Sequence, residues 1–195
     1  MSRVRVYMAC SLDGYVAGPG DDLAWLGEAA GSVDPEAPTD ALDFATFIGG
    51  MGAMIMGRRT YDVVEPMGQW HYGQLPVMVA TTRPLEKTRD TVWAAAGTIE
   101  ELVAQARLVA RDKDIYIDGG ALVRQALDAK LVDELVLTMV PILLGDGVPL
   151  FKGLTERHSL TFVKTATYGS MLQLTLRPVA QSTAGSSTQA NPLEN

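Results

Sequence analysis

Short apolar runs and amphipathic stretches alternate along the chain. Val4–Ala9, Ala53–Met56, Pro76–Ala80, Asp114–Ile117 and Glu134–Val140 read as strands, with Thr91–Ala95 a weaker one. Nearly continuous apolar runs of this kind suit a parallel sheet covered on both faces. Between them, helical spacing appears in Asp40–Ile48, where Leu42, Phe44, Ala45, Phe47 and Ile48 share one side, in a helix opening near Arg59, and in Ala121–Ala129. Thr98 and Glu101 form a capping-box pair that starts a helix running to about Arg111 and burying Leu102, Ala106, Val109 and Ala110. Ser159–Thr167 and Met171–Arg177 alternate in the β manner around Tyr168-Gly169-Ser170, a hairpin turn. Ser11–Gly20 and the Pro-containing Gly31–Thr39 are loops. The expected fold is α/β and three-layered: a mostly parallel central sheet, flanking helices and a C-terminal antiparallel hairpin. It fills one domain over residues 1–178, and the polar residues 179–195 form a tail that cannot bury apolar surface.

Composition narrows the class. The chain has 195 residues, 47% hydrophobic and 20% charged, which suits a single soluble domain without covalent staples. No apolar run approaches the ~20 residues that span a bilayer. Met1–Tyr7 runs straight into a strand, so no signal peptide is expected. Cys10 is the only cysteine, which excludes an internal disulfide or a cysteine-based zinc cage; no metal site is expected. The formal charge of −7 speaks against a nucleic-acid surface. A cytoplasmic protein of reducing surroundings is the expectation.

Two segments carry the candidate chemistry. Gly57-Arg58-Arg59-Thr60 and Gly119-Gly120-Ala121-Leu122 each follow a buried strand and open a helix. A strand–glycine–helix turn aims free backbone N–H groups and the positive helix end at an anion. Arginine adds bidentate phosphate binding, and Thr82-Arg83, following the strand Pro76–Ala80, offers a second arm that can converge with Arg59. Two turns in one small chain suggest a ligand with separate phosphate groups, such as NADPH. Solvated arginines and a plain tight turn are the structural alternatives. His71 and His158 have no metal-like partner spacing and read as surface or loop residues, and no serine sits in a nucleophile elbow. What remains is loop carboxylates (Asp13, Asp43, Asp118) and tyrosines. So sparse an inventory is compatible with hydride transfer, in which the cofactor brings the reactive bond.

Taken in order, Ala9-Cys10-Ser11-Leu12-Asp13-Gly14-Tyr15-Val16-Ala17, Met56–Tyr61, Asp118-Gly119-Gly120, Asp133–Leu137 and Pro141–Phe151 resemble the dihydrofolate reductase superfamily, in its riboflavin-biosynthesis reductase (RibD C-terminal-like) branch. The resemblance implies NADPH bound across the strand carboxyl ends. Gly57, Arg58, Arg59 and Thr60 would form its phosphate turn, Thr82 and Arg83 the adenosine-side companion, and Gly119, Gly120, Ala121 and Leu122 the pyrophosphate turn. Ala9, Val16 and Ala17 would line the nicotinamide, with Asp13 beside the substrate. The resemblance also points to a carboxylate near the helix preceding the first phosphate turn, where Asp40 and Asp43 stand. Asp13 and Asp43 are thus the candidate proton donors, Asp13 with a raised pKa. Their structural alternatives are shaping the turn before Gly14 for Asp13 and facing water for Asp43. The chain departs from the branch in carrying Tyr15 where lysine is usual and Asp118 where glutamate is usual, and in lacking the D-x-P-x-L-T-x-R string and the deaminase domain.

The leading functional expectation is therefore an NADPH-dependent reductase of a small pteridine, pyrimidine or riboflavin-precursor heterocycle. An NADP-binding protein without turnover is the alternative, and a hydrolase-like enzyme is disfavoured by its missing nucleophile. Glu134–Val140 and Pro141–Phe151 carry more apolar surface than one sheet edge hides, which predicts a homodimer.

Overall fold

The computed structural model describes residues 2–31, 38–86 and 88–179. The segment expected as a tail lies outside these beyond Val179, as does the middle of the Gly31–Thr39 connection. In chain order the elements are β1 (Val4–Ser11), β2 (Tyr15–Ala17), α1 (Ala24–Gly31), α2 (Phe44–Gly49), β3 (Met51–Gly57), α3 (Arg58–Val64), β4 (Val77–Ala80), β5 (Val92–Ala95), α4 (Ile99–Ala110), β6 (Asp114–Asp118), α5 (Gly120–Asp128), β7 (Glu134–Val140), β8 (Val148–Pro149), β9 (Leu160–Tyr168) and β10 (Met171–Pro178).

An eight-stranded sheet runs in the order β5-β4-β3-β6-β1-β7-β10-β9. Its first six strands are parallel, and β10 pairs antiparallel with both β7 and β9. The expected three-layer α/β fold with its terminal hairpin is the fold observed. Strand parity sorts the core. Ile115 and Ile117 pack with Ala53, Ile55 and the buried sides of α4 and α5. Tyr116 packs with Met54, Met56, Phe47 of α2 and Tyr61 of α3 on the other face. Such two-sided burial is why these strands read as apolar runs rather than alternating ones.

The capping box at Thr98 is present, its hydroxyl accepting from the Glu101 amide and the Glu101 carboxylate from the Thr98 amide. Within α4 the inward position is Val103, whereas Val109 is 37% exposed, because the stripe follows Leu102, Val103, Ala106 and Ala110. The helix expected from Asp40 begins at Phe44, since Asp43 is its N-cap and accepts from the Thr46 amide. Two elements were not legible as periodicity: α1, and the small ribbon of β2 with β8 inside what reads as loop. Gly147, with φ +144°, lets that ribbon form, because a Cβ there would lie 2.1 Å from the Ala17 carbonyl oxygen.

The topology accounts for much of the apolar surface in Glu134–Val140 and Pro141–Phe151. β7 is interior, hydrogen-bonded to β1 and β10, and Leu150 is fully buried. Ile142 and Leu144 pack around Trp25, Val140 and Met171. In that segment Leu143 stays 70% exposed. Of the two segments, β7 and Leu150 are hidden in the chain's own core.

Candidate active site

β3 and β6 are neighbours in the sheet, so the turns that follow them sit side by side. They touch: a Cβ on Gly119 would lie 2.7 Å from the Thr60 hydroxyl and 3.5 Å from the Gly57 amide nitrogen. Gly119 also has φ +103°, a conformation costly for any residue with a side chain. Both helices open directly from their strands, α3 at Arg58 and α5 at Gly120, and neither has a side-chain cap. Elsewhere α2 and α4 are capped by Asp43 and Thr98. The uncapped amides face one cleft of about 520 Å³ at the carboxyl ends of β1, β3, β4 and β6. Free N–H groups gathered there are what an oxyanion of a bound ligand needs.

Most of the expected cofactor residues line this cleft: Ala9, Val16 and Ala17 from the first strands, Gly57, Arg58, Arg59 and Thr60 from one turn, and Gly119, Gly120, Ala121 and Leu122 from the other. Thr82 and Arg83 stand outside its lining. Arg83 nevertheless reaches back to Asp62 at 3.2 Å, and Arg58 pairs with the same carboxylate at 2.7 Å while donating to the Pro84 carbonyl. Arg83 thus meets Arg58 rather than Arg59. Arg59 turns the other way, 66% exposed, and pairs with Asp21 at 2.8 Å. Arg124, not foreseen, also lines the cleft, one turn beyond Gly120, with its guanidinium held by the Pro149 and Leu150 carbonyls at 2.8 and 3.0 Å. Its i, i+4 spacing from Gly120 is the sequence signal that would have found it.

Neither of the two expected proton donors, Asp13 and Asp43, lines the cleft. Asp13 lies outside the cleft lining, and its carboxylate accepts from the Ser11 hydroxyl at 2.6 Å and from the Gly145 and Leu144 amides at 2.8 and 3.2 Å. The Ser11 hydroxyl, then the Gly145 amide, hold its pKa below the ordinary carboxylate value, opposite to the raised pKa expected. Its work is to tie the β1–β2 loop to the turn after β7. Asp43 caps α2, and the Thr46 hydroxyl and amide likewise hold its pKa low.

Two acids line the cleft: Asp21, paired with Arg59, and the buried Asp118 at the end of β6. Asp118 accepts from the Gly119 amide at 2.8 Å and has the Tyr72 hydroxyl 3.5 Å away. Burial outweighs the Gly119 amide and the neighbouring tyrosine hydroxyls and lifts its pKa to about 6. Tyr116 and Tyr7 flank it along the cleft, their hydroxyls engaged by the carbonyls of Tyr7 and Leu42. Trp70 and Phe44 hold the Tyr72 ring edge-on at 4.9 and 6.1 Å. Apolar walls come from Leu23, Leu26, Val63 and Val64. The tyrosines and Leu26 carry no short-range motif, because the sheet and not the chain brings them together.

Comparison with known proteins agrees with this geometry. The RibD C-terminal domain family matches residues 2–174. Uncharacterized protein YwjB of Bacillus subtilis is 29% identical, covering 88% of this chain and 95% of its own. A structure from Shewanella sp. PV-4, described as a riboflavin biosynthesis protein, is 31% identical with TM-score 0.77, covering 91% of this chain and 99% of that one. The Thermotoga maritima diaminohydroxyphosphoribosylaminopyrimidine deaminase/5-amino-6-(5-phosphoribosylamino)uracil reductase shares the fold at TM-score 0.65 and 16% identity, this chain covering 57% of its length. The chain belongs to the RibD C-terminal domain family.

Proposed function

We propose that the protein is an NADPH-dependent reductase of a small heterocyclic substrate. One observation carries the reading: two uncapped helix starts, touching at Gly119 and Thr60, share a cleft with a buried acid whose pKa is about 6. The residues present fit the cofactor. The amides of α5 and the Gly119-Gly120 turn suit a pyrophosphate, while Arg58 and Arg83, which share Asp62, suit the 2′-phosphate that distinguishes NADPH from NADH. Ala9, Val16 and Ala17 leave a small-residue floor at the cleft's β1 end for the nicotinamide.

NADPH, when bound, supplies the hydride for a ring C=N bond. The protein's share is orientation, exclusion of water by the apolar walls, and a proton. Asp118 is half-protonated near pH 6, and its carboxyl proton would end on the ring nitrogen, the carboxylate then regaining a proton from solvent. Asp118→Asn keeps the shape and removes the acid. The expected outcome is unchanged NADPH affinity with turnover lowered about 10²–10⁴-fold, the usual contribution of general acid catalysis. In the parent, the rate should fall as pH rises above about 6, and the variant should lose that limb. Parental turnover by Asp118→Asn, measured as NADPH consumption with reducible pterins, pyrimidines and flavins, would remove the assigned acid.

A further inference from the structure

Among the described cations that line the cleft, Arg59 is the one whose partner is itself part of the lining. Arg58 is held by Asp62 and the Pro84 carbonyl, and Arg124 by the Pro149 and Leu150 carbonyls, none of which lines it. Arg59 instead meets Asp21 as a fork, its Nη2 2.8 Å from one carboxylate oxygen and its Nε 3.1 Å from the other. The pair joins α3, which follows β3, to the turn that follows β1 and β2. β3 and β1 flank β6 in the sheet, and β6 is the strand whose end opens α5 without a side-chain cap. Backbone geometry fixes the carboxylate. Asp21 has φ +64°, uncommon for a residue with a side chain though open to Asp and Asn, and Gly20 before it has φ +71°. The Gly18 amide donates to the Asp22 carbonyl at 2.8 Å and closes the turn. Trp25, buried against Val140 and Met171, donates its indole N–H to the same carbonyl at 3.2 Å.

A carboxylate offers two oxygens to the Nε–Nη2 edge of a guanidinium in the same way as a phosphate. The edge of Arg59 that a ligand phosphate would take is therefore already held by an anion of the cleft wall. A phosphate and the Asp21 carboxylate cannot both occupy that edge, and two anions beside each other without the cation between them repel. We infer, on the reductase reading above, that Asp21 is a specificity-determining residue: an internal competitor for Arg59 that a phosphate of the cofactor displaces on binding. In the empty protein the pair ties the turn after β2 to α3 across the cleft. Entry then favours a ligand whose anionic group holds Arg59 more strongly than a carboxylate does, as a phosphate or pyrophosphate would.

Equilibrium titration of the full chain with NADPH, and separately with inorganic pyrophosphate, tests it. Asp21→Asn keeps a residue suited to the positive φ and removes the charge. It should bind each anion about threefold more tightly than the parent, a modest gain because the pair is partly exposed to solvent. Arg59→Ala should weaken binding, and Asp21→Asn added to Arg59→Ala should bring no gain. Glu28→Gln, which removes a charge from the exposed side of α1, should match the parent. Unchanged or weaker binding by Asp21→Asn of an anion that the parent binds overturns the inference. So does an equal gain in the Arg59→Ala background or from Glu28→Gln, and so does binding of neither anion. If pyrophosphate follows the expected pattern while NADPH does not bind, the reductase reading falls and the competition for Arg59 stands.

Discussion

At the scale of single residues, the two carboxylates with opposite shifts make opposite predictions. Asp13 has its pKa lowered by the Ser11 hydroxyl and the loop amides. A depressed carboxylate contributes stability above its unfolded value and loses it as pH falls through the folded one. Asp118 has its pKa raised by burial to about 6. Its contribution is fully present below the unfolded value near 3.8 and is lost as pH rises through about 6. Chemical denaturation across pH 3–8 should therefore show Asp13→Asn losing its stability deficit at the acid end. Asp118→Asn should instead be no less stable than the parent above pH 6. The reverse pattern would exchange their roles. The two strand–glycine–helix turns were legible because a glycine between strand and helix has a local sequence signature. Asp118 was visible as a loop carboxylate but not as a buried one with a raised pKa. Its pKa depends on Tyr72, Tyr116 and the depth of β6, which no spacing reveals. The direction of the Asp13 shift was not legible, because proximity to the first strand end looks the same whether a carboxylate points into the cleft or back at its own loop.

Among the elements, the α helices differ in capping at their starts. α4 carries a complete capping box and buries a stripe from Ile99 to Ala110. Thr98→Ala removes one bond of that box and should cost about 1 kcal/mol of unfolding free energy, with no effect on cofactor binding. Loss of NADPH affinity in that variant would mean the helix communicates with the cleft. α3 and α5 begin with glycine caps and bare amides. The strands and α4 were readable because two-sided burial and capping write themselves into neighbouring residues. α1 and the β2–β8 ribbon were not. Trp25 is buried by contacts from Val140 and Met171, and β2 pairs with a segment more than a hundred residues away.

For the whole molecule, the sheet places every carboxyl end of the parallel strands at one rim, and the cleft is where two of the turns meet. Among the described residues no helix is long and apolar enough to cross a membrane. A homodimer, if the chain forms one, needs a face other than β7. Exposed apolar side chains cluster on the terminal hairpin, with Phe162 65% exposed beside Val163 and Leu172. Pairing through that hairpin predicts a dimer mass by light scattering for the parent and a monomer mass for Phe162→Glu. A dimer that survives the substitution would place the contact elsewhere. The central claim concerns the cleft itself, and equilibrium titration with NADPH and NADH, in parent and Arg58→Ala, tests it most directly. Charge-assisted bonds to a phosphate contribute about 1.5–3 kcal/mol each, so NADPH should bind at least about tenfold tighter than NADH. Arg58→Ala should remove most of that preference while leaving NADH affinity nearly unchanged. Equal affinities for the two cofactors in the parent protein, or binding of neither, would contradict the account.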